Sequence, residues 1–326
     1  LMAKEIKTIG VLTSGGDAPG MNAAVRAVVR TALSKGIKVK GIERGYNGLL
    51  HNEMRDMDLR SVSEIIHRGG TVLYTARCLE FLTKEGQEQG AQCCRDNGID
   101  ALVVIGGDGS FKGARALANL GIPCIGIPGT IDNDIACSEY TIGYDTAMNT
   151  AVEMVDKLRD TTQSHDRCSV VEVMGRHAGY IALNVGIATG AIATLIPERP
   201  YDLERDILDR MSFTQKTGKK HFIIVKAEGV SGTAQDLANE IQARTGIDSR
   251  ATVLGHVQRG GAPTLRDRVT ASQMGYQAVY LLERGIFNRV VAVSADQIVD
   301  YDINVALAMH KTIDTKMIDV ANTISI

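Results

Sequence analysis

Hydrophobic and polar positions recur along the chain in one order: a short apolar run, a glycine-rich turn, then a helical pattern. TIGVLTSGGDAPGMN leads into AAVRAVVRTALSKG, where apolar residues recur at helical spacing and Gly36 marks the stop. Later apolar runs are ALVVIGGDGS, GIPCIGIPGT, CSVVEVMG, IATLIPE, HFIIVKAEG and RATVLG. Continuous apolar strands between helices predict an α/β fold: two doubly wound, Rossmann-like lobes of mostly parallel sheet with helices on both faces.

Two segments depart from this alternation. RVVAVSADQIVDYD predicts a hairpin or a pair of short edge strands. In SVSEIIHRGG the spacing of Ser61 and Glu64 matches a capping box and predicts a helix start. Proline and glycine clusters mark no single clean linker, so we expect lobes that exchange chain segments.

Length and composition narrow the class of protein. The 326 residues suit two ordinary domains or one large one, and 44% apolar and 23% charged residues are typical of a globular protein. A formal charge of −2 without a basic block argues against nucleic-acid or membrane partners. No apolar run approaches the roughly 18 residues that span a bilayer. Six cysteines without a CxxC pair argue against structural zinc and favour a reducing, cytoplasmic location.

Three glycine-rich turns follow apolar runs: SGGDAPG (14–20), GGDGS (106–110) and MGRHAG (174–179). Ligands of open parallel sheets bind outside the carboxyl ends of the strands. Glycine lets the backbone approach phosphate oxygens, and the following helix N-terminus offers free N–H groups. A Walker loop and a GxSxG elbow are missing, and GxGxxG does not follow the first strand. The turns therefore favour phosphate binding by a different loop design over a purely steric role.

GGDGS carries a carboxylate, Asp108, inside a candidate phosphate-binding turn. That carboxylate would repel a polyphosphate unless a cation such as Mg²⁺ stood between them. Helix capping before FKGARAL is the alternative, but we expect Ser110 to cap that helix already. We therefore rank metal–phosphate binding ahead of capping for Asp108.

PGTIDND places Asp132 and Asp134 two residues apart at the end of the run IPCIGI. A surface turn is the plain alternative, since Asn and Asp are common at bends. Beside GGDGS, one carboxylate could accept a hydroxyl proton while Thr130 donates to phosphoryl oxygens. His256 and Arg259 in GHVQRGG suit a phosphorylated acceptor, because arginine forks bind phosphate bidentately.

SGGDAPGMN, YTARC, GGDGS, PGTIDND, MGRHAG, AEGV and LGHVQRGG, in this order over nearly the whole chain, resemble the bacterial-type ATP-dependent 6-phosphofructokinases. The resemblance implies transfer of the ATP γ-phosphoryl group to the 1-hydroxyl of fructose 6-phosphate. It also implies Mg²⁺ on the nucleotide, a homotetramer with shared active sites, and two lobes. We expect residues 1–143 with 257–308 to form the larger nucleotide-binding lobe, and 144–256 with 309–326 the smaller sugar-phosphate lobe.

The resemblance also implies site residues. Asp132 would be the general base with Asp134 beside it, while Thr130 and Arg176 would stabilise the phosphoryl group in flight. Eight residues between positions 16 and 113 would line the nucleotide: Gly16, Tyr46, Arg77, Cys78, Asp108 (also toward Mg²⁺), Gly109, Ser110 and Gly113. Residues of the later motifs would join Thr130 and Asp132 on the sugar phosphate: Arg167 and Arg250 from the adjacent subunit, Met174, Gly175, Arg176, Glu228, His256 and Arg259.

Two glycines bear on the phosphoryl donor. In the pyrophosphate-using branch of the family that this chain resembles, an Asp follows the GGD aspartate and a Lys precedes the TIDND threonine. Gly109 and Gly129 stand at those positions here. Side chains there would fill space that an ATP α-phosphate and nucleoside need, so the two glycines favour ATP.

Regulation is where the sequence departs from the family pattern. Basic residues match the family's effector site for ADP or phosphoenolpyruvate: Arg26, Arg30, Arg159, Lys219 and Lys220. However, Ile192 replaces a glutamate that meets effector-bound magnesium, and Leu59 and Thr217 replace two arginines. Leu79 is a smaller departure beside the YTARC segment. Because phosphate forks are missing, we expect an altered or lost response to these effectors.

Three rival hypotheses stay open. A lipid or NAD kinase also contains GGDG-type turns but lacks the full motif series. A non-catalytic homologue that binds sugar phosphate has no chemical need for Asp132, Asp108 and Arg176. A metabolite-sensing module fits the α/β pattern but leaves Asp132 and Thr130 unexplained.

Overall fold

The computed structural model describes residues 6–325, in which strands and helices alternate for most of the length. The strands are β1 (Thr8–Thr13), β2 (Lys38–Ile42), β3 (Met54–Met57), β4 (Ala101–Gly106), β5 (Cys124–Pro128), β6 (Cys168–Val173), β7 (Ala193–Leu195), β8 (Phe222–Ala227), β9 (Ser249–Val253), β10 (Arg289–Ser294) and β11 (Gln297–Asp302). The α-helices are α1 (Met21–Ser34), α2 (Gly45–Leu50), α3 (Lys84–Asp96), α4 (Asp108–Asn119), α5 (Tyr144–Ser164), α6 (Tyr180–Thr189), α7 (Asp209–Gln215), α8 (Ala234–Thr245), α9 (Leu265–Glu283), α10 (Ile303–Ala308) and α11 (Thr315–Ile324). Short 3₁₀ helices lie at Glu80–Leu82 and Gly255–Arg259, and a π-helical turn at Glu204–Leu208 leads into α7.

The strands form two sheets. The larger has the order β11-β10-β5-β4-β1-β2-β3, with β11 and β3 antiparallel at its edges and the inner pairs parallel. The smaller has the order β7-β8-β6-β9 and is parallel throughout. The predicted α/β fold of mostly parallel sheets is therefore confirmed, and so is the hairpin, formed by β10 and β11.

The chain divides into two compact units, one around each sheet. The first unit runs up to Thr146 and adds Arg259–Lys311. The second contains Ala147–Gln258 and continues from Thr312. Three chain crossings join the two units, one each near residues 146, 258 and 311.

The core of the first unit packs on both faces of its sheet. All six residues of β4, ALVVIG, are buried, which explains the continuous apolar run in the sequence. Helix α1 buries Val25, Val28 and Val29 and packs against α9 at close range. A Cβ at Gly275 of α9 would lie 2.8 Å from the Ala24 carbonyl oxygen, so glycine permits this approach.

The helix predicted at SVSEIIHRGG is wrong. Residues 58–67 form a series of turns. The Ser61 N–H donates to the Asp58 carboxylate (2.7 Å), and the Asp58 N–H donates to the Ser61 hydroxyl (3.0 Å). Glu64 has a left-handed backbone (φ 55°), which is incompatible with a helical third position. The serine therefore pairs with an upstream aspartate instead of starting a helix.

Four cysteines, two of which lie in strands, are buried: Cys94, Cys124, Cys137 and Cys168. Burial raises the pKa of the Cys94 and Cys168 thiols to about 12 and that of Cys137 to about 11. All six cysteines are free thiols. Among the described residues, no helix has the length and apolar character to cross a membrane.

Candidate active site

Three loops of the first unit lie side by side at the carboxyl edge of the larger sheet. They follow β1, β4 and β5, which are neighbours in the sheet order. The Ser14 N–H donates to the Ile105 carbonyl at the end of β4 (2.9 Å). The Gly129 N–H donates to the Gly106 carbonyl (2.9 Å). SGGDAPG, GGDGS and PGTIDND thus meet at one edge, where an open parallel sheet binds its ligands.

The first glycine turn is closely approached by a distant arginine. Arg259 Nη1 donates to the Asp17 carbonyl (3.2 Å), and a Cβ at Gly16 would collide with the same guanidinium. The Thr75 hydroxyl donates to the Gly15 carbonyl on the other side of the turn (2.7 Å). Gly16 therefore leaves room for Arg259, which the sequence assigned to the sugar phosphate. In YTARC, Arg77 is exposed and Cys78 half-buried.

Helix α4 begins inside the second glycine turn. Asp108 is exposed in its first turn, and a Cβ at Gly109 would meet no atom within 4 Å. The prediction that Ser110 caps this helix is wrong: the N-cap is Gly107, without a side-chain capping bond, and Ser110 is buried within the helix. A helix N-terminus of this kind presents backbone N–H groups beside the exposed Asp108.

Tyr46 packs against this turn and holds its backbone. Its hydroxyl donates to the Ser110 carbonyl (2.6 Å), and its ring stacks on Phe81 with centroids 4.1 Å apart. A Cβ at Gly113 would lie 2.7 Å from the Tyr46 ring. Burial raises the pKa of the Tyr46 phenol, so it stays a hydrogen-bond donor. That Tyr46 lines the nucleotide stays a prediction; the structure shows a buried ring that supports the α4 N-terminus.

The loop after β5 carries the predicted general base. Asp132 is only 3% exposed, whereas Asp134 is half-buried. The Asp132 N–H donates to the Thr130 hydroxyl (3.2 Å), and the Thr141 hydroxyl donates to the Thr130 carbonyl (2.7 Å). Asn133, between the two aspartates, is left-handed with φ 52°. Thr130 and Asp132 are thus brought together in one fixed turn.

Asp267 of α9 is a functional candidate that the sequence analysis missed. It is fully buried and accepts hydrogen bonds from the Tyr140 hydroxyl, the Gly143 N–H (2.8 Å), and the N–H (2.9 Å) and hydroxyl of Thr146. Burial raises the pKa of this carboxyl, and the bonds oppose that rise. Asp267 fixes the segment that follows the PGTIDND loop. In the sequence it looks like an ordinary first-turn acid, three residues after the N-cap Thr264.

The second unit gathers another set of predicted residues at the carboxyl edge of its own sheet. Met174, Arg176 and Gly175 follow β6, Glu228 follows β8, and His256 follows β9. Glu228 Oε1 accepts from the N–H groups of Gly175 (3.1 Å) and Arg176 (2.7 Å). Arg176 is exposed, with a left-handed backbone (φ 57°).

Two buried polar contacts support this edge. The Met174 N–H donates to Oε1 of Gln258, a fully buried residue that the sequence analysis missed (2.9 Å). Lys226 is also buried, and its ammonium pairs with Glu172 on the neighbouring strand (2.9 Å). This pair explains a charge in the middle of an apolar strand, and only a partner found in the fold reveals it.

Arg167 and Arg250 lie at the opposite edge of that sheet. Arg167 directly precedes β6, and Arg250 pairs in register with Ser169 near the start of β9. Asp248 holds both: its carboxylate contacts Arg167 Nε at 2.6 Å and Arg250 Nε at 3.1 Å, and the Arg167 bond lowers the Asp248 pKa. Six strand residues span about 20 Å, so these arginines are far from Met174–Arg176 within one chain.

The predicted effector residues are placed separately in the two units. Arg26 and Arg30 lie half-buried on α1 of the first unit. In the second unit, Arg159 donates to the Thr189 carbonyl, and burial together with Arg159 lowers the pKa of Lys219, while Lys220 is exposed. Ile192 is fully buried in that unit. The altered effector response stays a prediction.

Glycine turns at the carboxyl edges of parallel strands, with carboxylates and arginines beside them, suit an α/β phosphotransferase. The family model described as phosphofructokinase matches residues 8–282. Two proteins named ATP-dependent 6-phosphofructokinase are each 54% identical to this chain: one from Clostridium botulinum (strain Loch Maree / Type A3) and one from Clostridioides difficile (strain 630). Each alignment covers 98% of this chain and the full length of the relative. A structure of phosphofructokinase from Saccharomyces cerevisiae matches with a TM-score of 0.89 at 35% identity, covering 98% of this chain and 48% of that one. The chain belongs to the phosphofructokinase family, which confirms the resemblance.

Proposed function

We propose that this chain is an ATP-dependent 6-phosphofructokinase, which transfers the γ-phosphoryl group of ATP to the 1-hydroxyl of fructose 6-phosphate and yields fructose 1,6-bisphosphate and ADP. The observation that carries the proposal is the buried Asp132, which follows β5 beside two glycine turns of the same sheet edge. The names of the relatives at 54% identity support the same activity. A lipid or NAD kinase and a metabolite-sensing module do not account for the names of these relatives. A non-catalytic homologue does not account for a buried Asp132 beside the glycine turns.

The chemistry follows from the carboxylate and the hydroxyl beside it. As the 1-hydroxyl oxygen bonds to the γ-phosphorus, the bond from that phosphorus to the β–γ bridging oxygen breaks and ADP leaves. Asp132 accepts the hydroxyl proton. Thr130 accepts from the Asp132 N–H, so its own hydroxyl hydrogen can donate to a phosphoryl oxygen. General bases of this kind contribute roughly 10²–10⁴ in rate.

Mg²⁺ fits the donors at the nucleotide side. The described residues contain no group of three or more His, Cys, Asp or Glu side chains placed to hold a metal. A single carboxylate suits Mg²⁺ when phosphates and water supply its other ligands, and exposed Asp108 at the start of α4 is that carboxylate. When bound, the ion would neutralise charge on the nucleotide phosphates.

Sugar-phosphate binding would come from the second unit and from a neighbouring subunit. Met174, Arg176, Glu228 and His256 share one edge of the smaller sheet, and Arg167 and Arg250 share the opposite edge. Asp248 holds both arginines about 20 Å from Arg176, so within one chain they would not bind the same sugar phosphate as Arg176. This separation supports the homotetramer in which they serve an adjacent subunit.

Gly109 supports ATP as the donor, whereas Gly129 is explained by the buried side chains around it. A Cβ at Gly109 meets open space, whereas a Cβ at Gly129 would lie 3.1 Å from Ile105 and 3.2 Å from Met21. A longer side chain at Gly109 would therefore extend from the α4 N-terminus into the region that we assign to the nucleotide. Gly109→Asp should fold normally and lower kcat/KM for ATP at least tenfold, with Gly109→Ala as its control.

The test measures initial rates of fructose 6-phosphate phosphorylation with ATP–Mg²⁺ and, separately, with pyrophosphate–Mg²⁺. ATP-dependent turnover that falls at least 100-fold in Asp132→Asn supports the donor, acceptor and base together. Asp209→Asn, at an exposed position of α7, is the matched control and should keep full activity. Turnover with pyrophosphate alone would overturn the donor assignment, and no turnover with either donor would overturn the function.

A further inference from the structure

Lys311 lies just after α10, in the second chain segment of the first unit, and reaches back to the PGTIDND loop. Its ammonium donates to the Asn133 carbonyl and to the Ser138 carbonyl, both at 2.8 Å. These contacts join residues 178 and 173 positions apart in the sequence. The peptide group that the lysine holds is the one between Asn133 and Asp134.

The loop that Lys311 closes is tightly constrained. Asn133 is 4% exposed and left-handed, a conformation that asparagine tolerates better than most residues. The Asn133 side-chain amide donates to the Glu139 carbonyl (3.2 Å), and the Ser138 hydroxyl donates to the Tyr140 carbonyl (2.6 Å). Lys311 bonds to both ends of this closed loop, so its loss would release the Asn133 peptide.

The charges around Lys311 suit a held cation. Asp134, Cys137 and Glu139 favour its charged form, while burial lowers its pKa to about 8. Burial is the main cause that raises the pKa of the Cys137 thiol; the charge of Asp108 raises it further, and the charge of Lys311 lowers it. Lys311 therefore brings a positive charge close to Asp134 in the PGTIDND loop.

We propose that Lys311 is a positioning residue for the phosphoryl transfer: by holding the Asn133 and Ser138 carbonyls, it fixes the turn that aims the Asp132 and Asp134 carboxylates. The inference rests on the proposed function of Asp132. A displacement of about 1 Å at a reacting group can cost on the order of 100-fold in rate. The simpler alternative is that Lys311 only attaches the C-terminal segment and contributes to stability.

The experiment compares Lys311→Met, Lys311→Arg and Lys311→Gln with the unchanged protein, and uses exposed Lys316→Met in α11 as the matched control. Steady-state kinetics for fructose 6-phosphate and ATP are recorded with thermal unfolding of each variant. We expect Lys311→Met to lower kcat about 10- to 100-fold with both KM values within threefold. Lys311→Arg, which keeps a charged donor, should recover at least a third of kcat, and Lys316→Met should be unaffected.

Other outcomes overturn the proposal. These are a kcat within threefold of the unchanged protein in folded Lys311→Met, or a low kcat that Lys311→Arg does not restore although it folds. If Lys311→Met does not fold, Lys311→Gln decides: lowered kcat at normal KM supports positioning, and normal kcat contradicts it. Failure of the unchanged protein to use ATP at all would instead overturn the proposed function, so the two failures are distinguishable.

Discussion

Two loops that carry the candidate chemistry are built in opposite ways. Around Asp132, at 3% exposure, side chains and a distant lysine fix both the backbone and the carboxylate's neighbours. Around Arg176, Glu228 fixes the backbone while the arginine side chain extends into solvent. Both loops contain a left-handed residue. The difference matches the roles that we propose: a general base needs a fixed atom, whereas an arginine that binds phosphate needs a charge within reach.

The largest expected effect is a loss of stability when Asp267, which holds the segment after the PGTIDND loop, is replaced. Asp267→Ala removes the acceptor for Tyr140, Gly143 and Thr146, which leaves buried donors unsatisfied. Each unsatisfied buried donor costs about 1–3 kcal/mol, so we expect the free energy of unfolding to fall by at least about 3 kcal/mol. The measurement is urea unfolding at pH 7.

A milder substitution sharpens that test. Asp267→Asn keeps one acceptor oxygen and avoids burying a charge, so it should lose less than half as much stability as Asp267→Ala. Asp209→Ala, at an exposed helix position, is the control. Equal midpoints for Asp267→Ala and the control would show that the network contributes nothing to stability.

Substitutions that loosen the exposed loop around Arg176 should weaken substrate binding rather than lower the stability of the protein. Glu228→Ala removes the acceptor that fixes the N–H groups of Gly175 and Arg176, and we expect KM for fructose 6-phosphate to rise about tenfold, which corresponds to about 1.4 kcal/mol. Glu228→Gln keeps an acceptor oxygen. If bracing dominates, the glutamine variant keeps KM within threefold; if the negative charge itself binds the sugar, both variants fail alike. Steady-state kinetics separate the two.

The smallest expected effect concerns pH. Burial lowers the pKa of Lys311 from 10.5 to about 8, so between these values the unfolded chain binds a proton that the folded chain has lost. Stability therefore rises with pH in this window for the unchanged protein relative to Lys311→Met. Urea midpoints at pH 7.5 and pH 10 measure the difference. A gap between the two proteins that stays constant with pH would contradict the assignment.

Much of this organisation was predictable because it depends on local pattern. Buried parallel strands are apolar along their whole length, and glycine turns at their carboxyl ends mark the ligand edge. This pattern alone predicts that Asp108 and Asp132 lie at the same edge of the sheet. Local pattern failed at Ser61, which pairs with the upstream Asp58, and at Ser110, which lies within α4 while Gly107 is the N-cap without a side-chain capping bond.

The remaining site residues were hidden because their partners are far away in the chain. Asp267 lies more than 120 residues from the donors that it accepts from, and Lys311 more than 170 from Asn133. Asp248 lies in no motif, and Gln258 lies inside LGHVQRGG without a role that its side chain reveals locally, since Gln258 binds a distant backbone N–H and Asp248 a distant arginine. Such supporting residues become visible only when tertiary contacts are known.

Both units contain buried thiols, which make the opening of each unit chemically measurable. Cys94, Cys124 and Cys137 lie in the first unit and Cys168 in the second, and burial holds the pKa of each above the ordinary range. Near neutral pH they stay protonated and shielded, so an alkylating reagent acts on them only when the surrounding structure opens. The chain therefore contains intrinsic labelling sites whose modification rates report the opening of each unit separately, without an introduced probe.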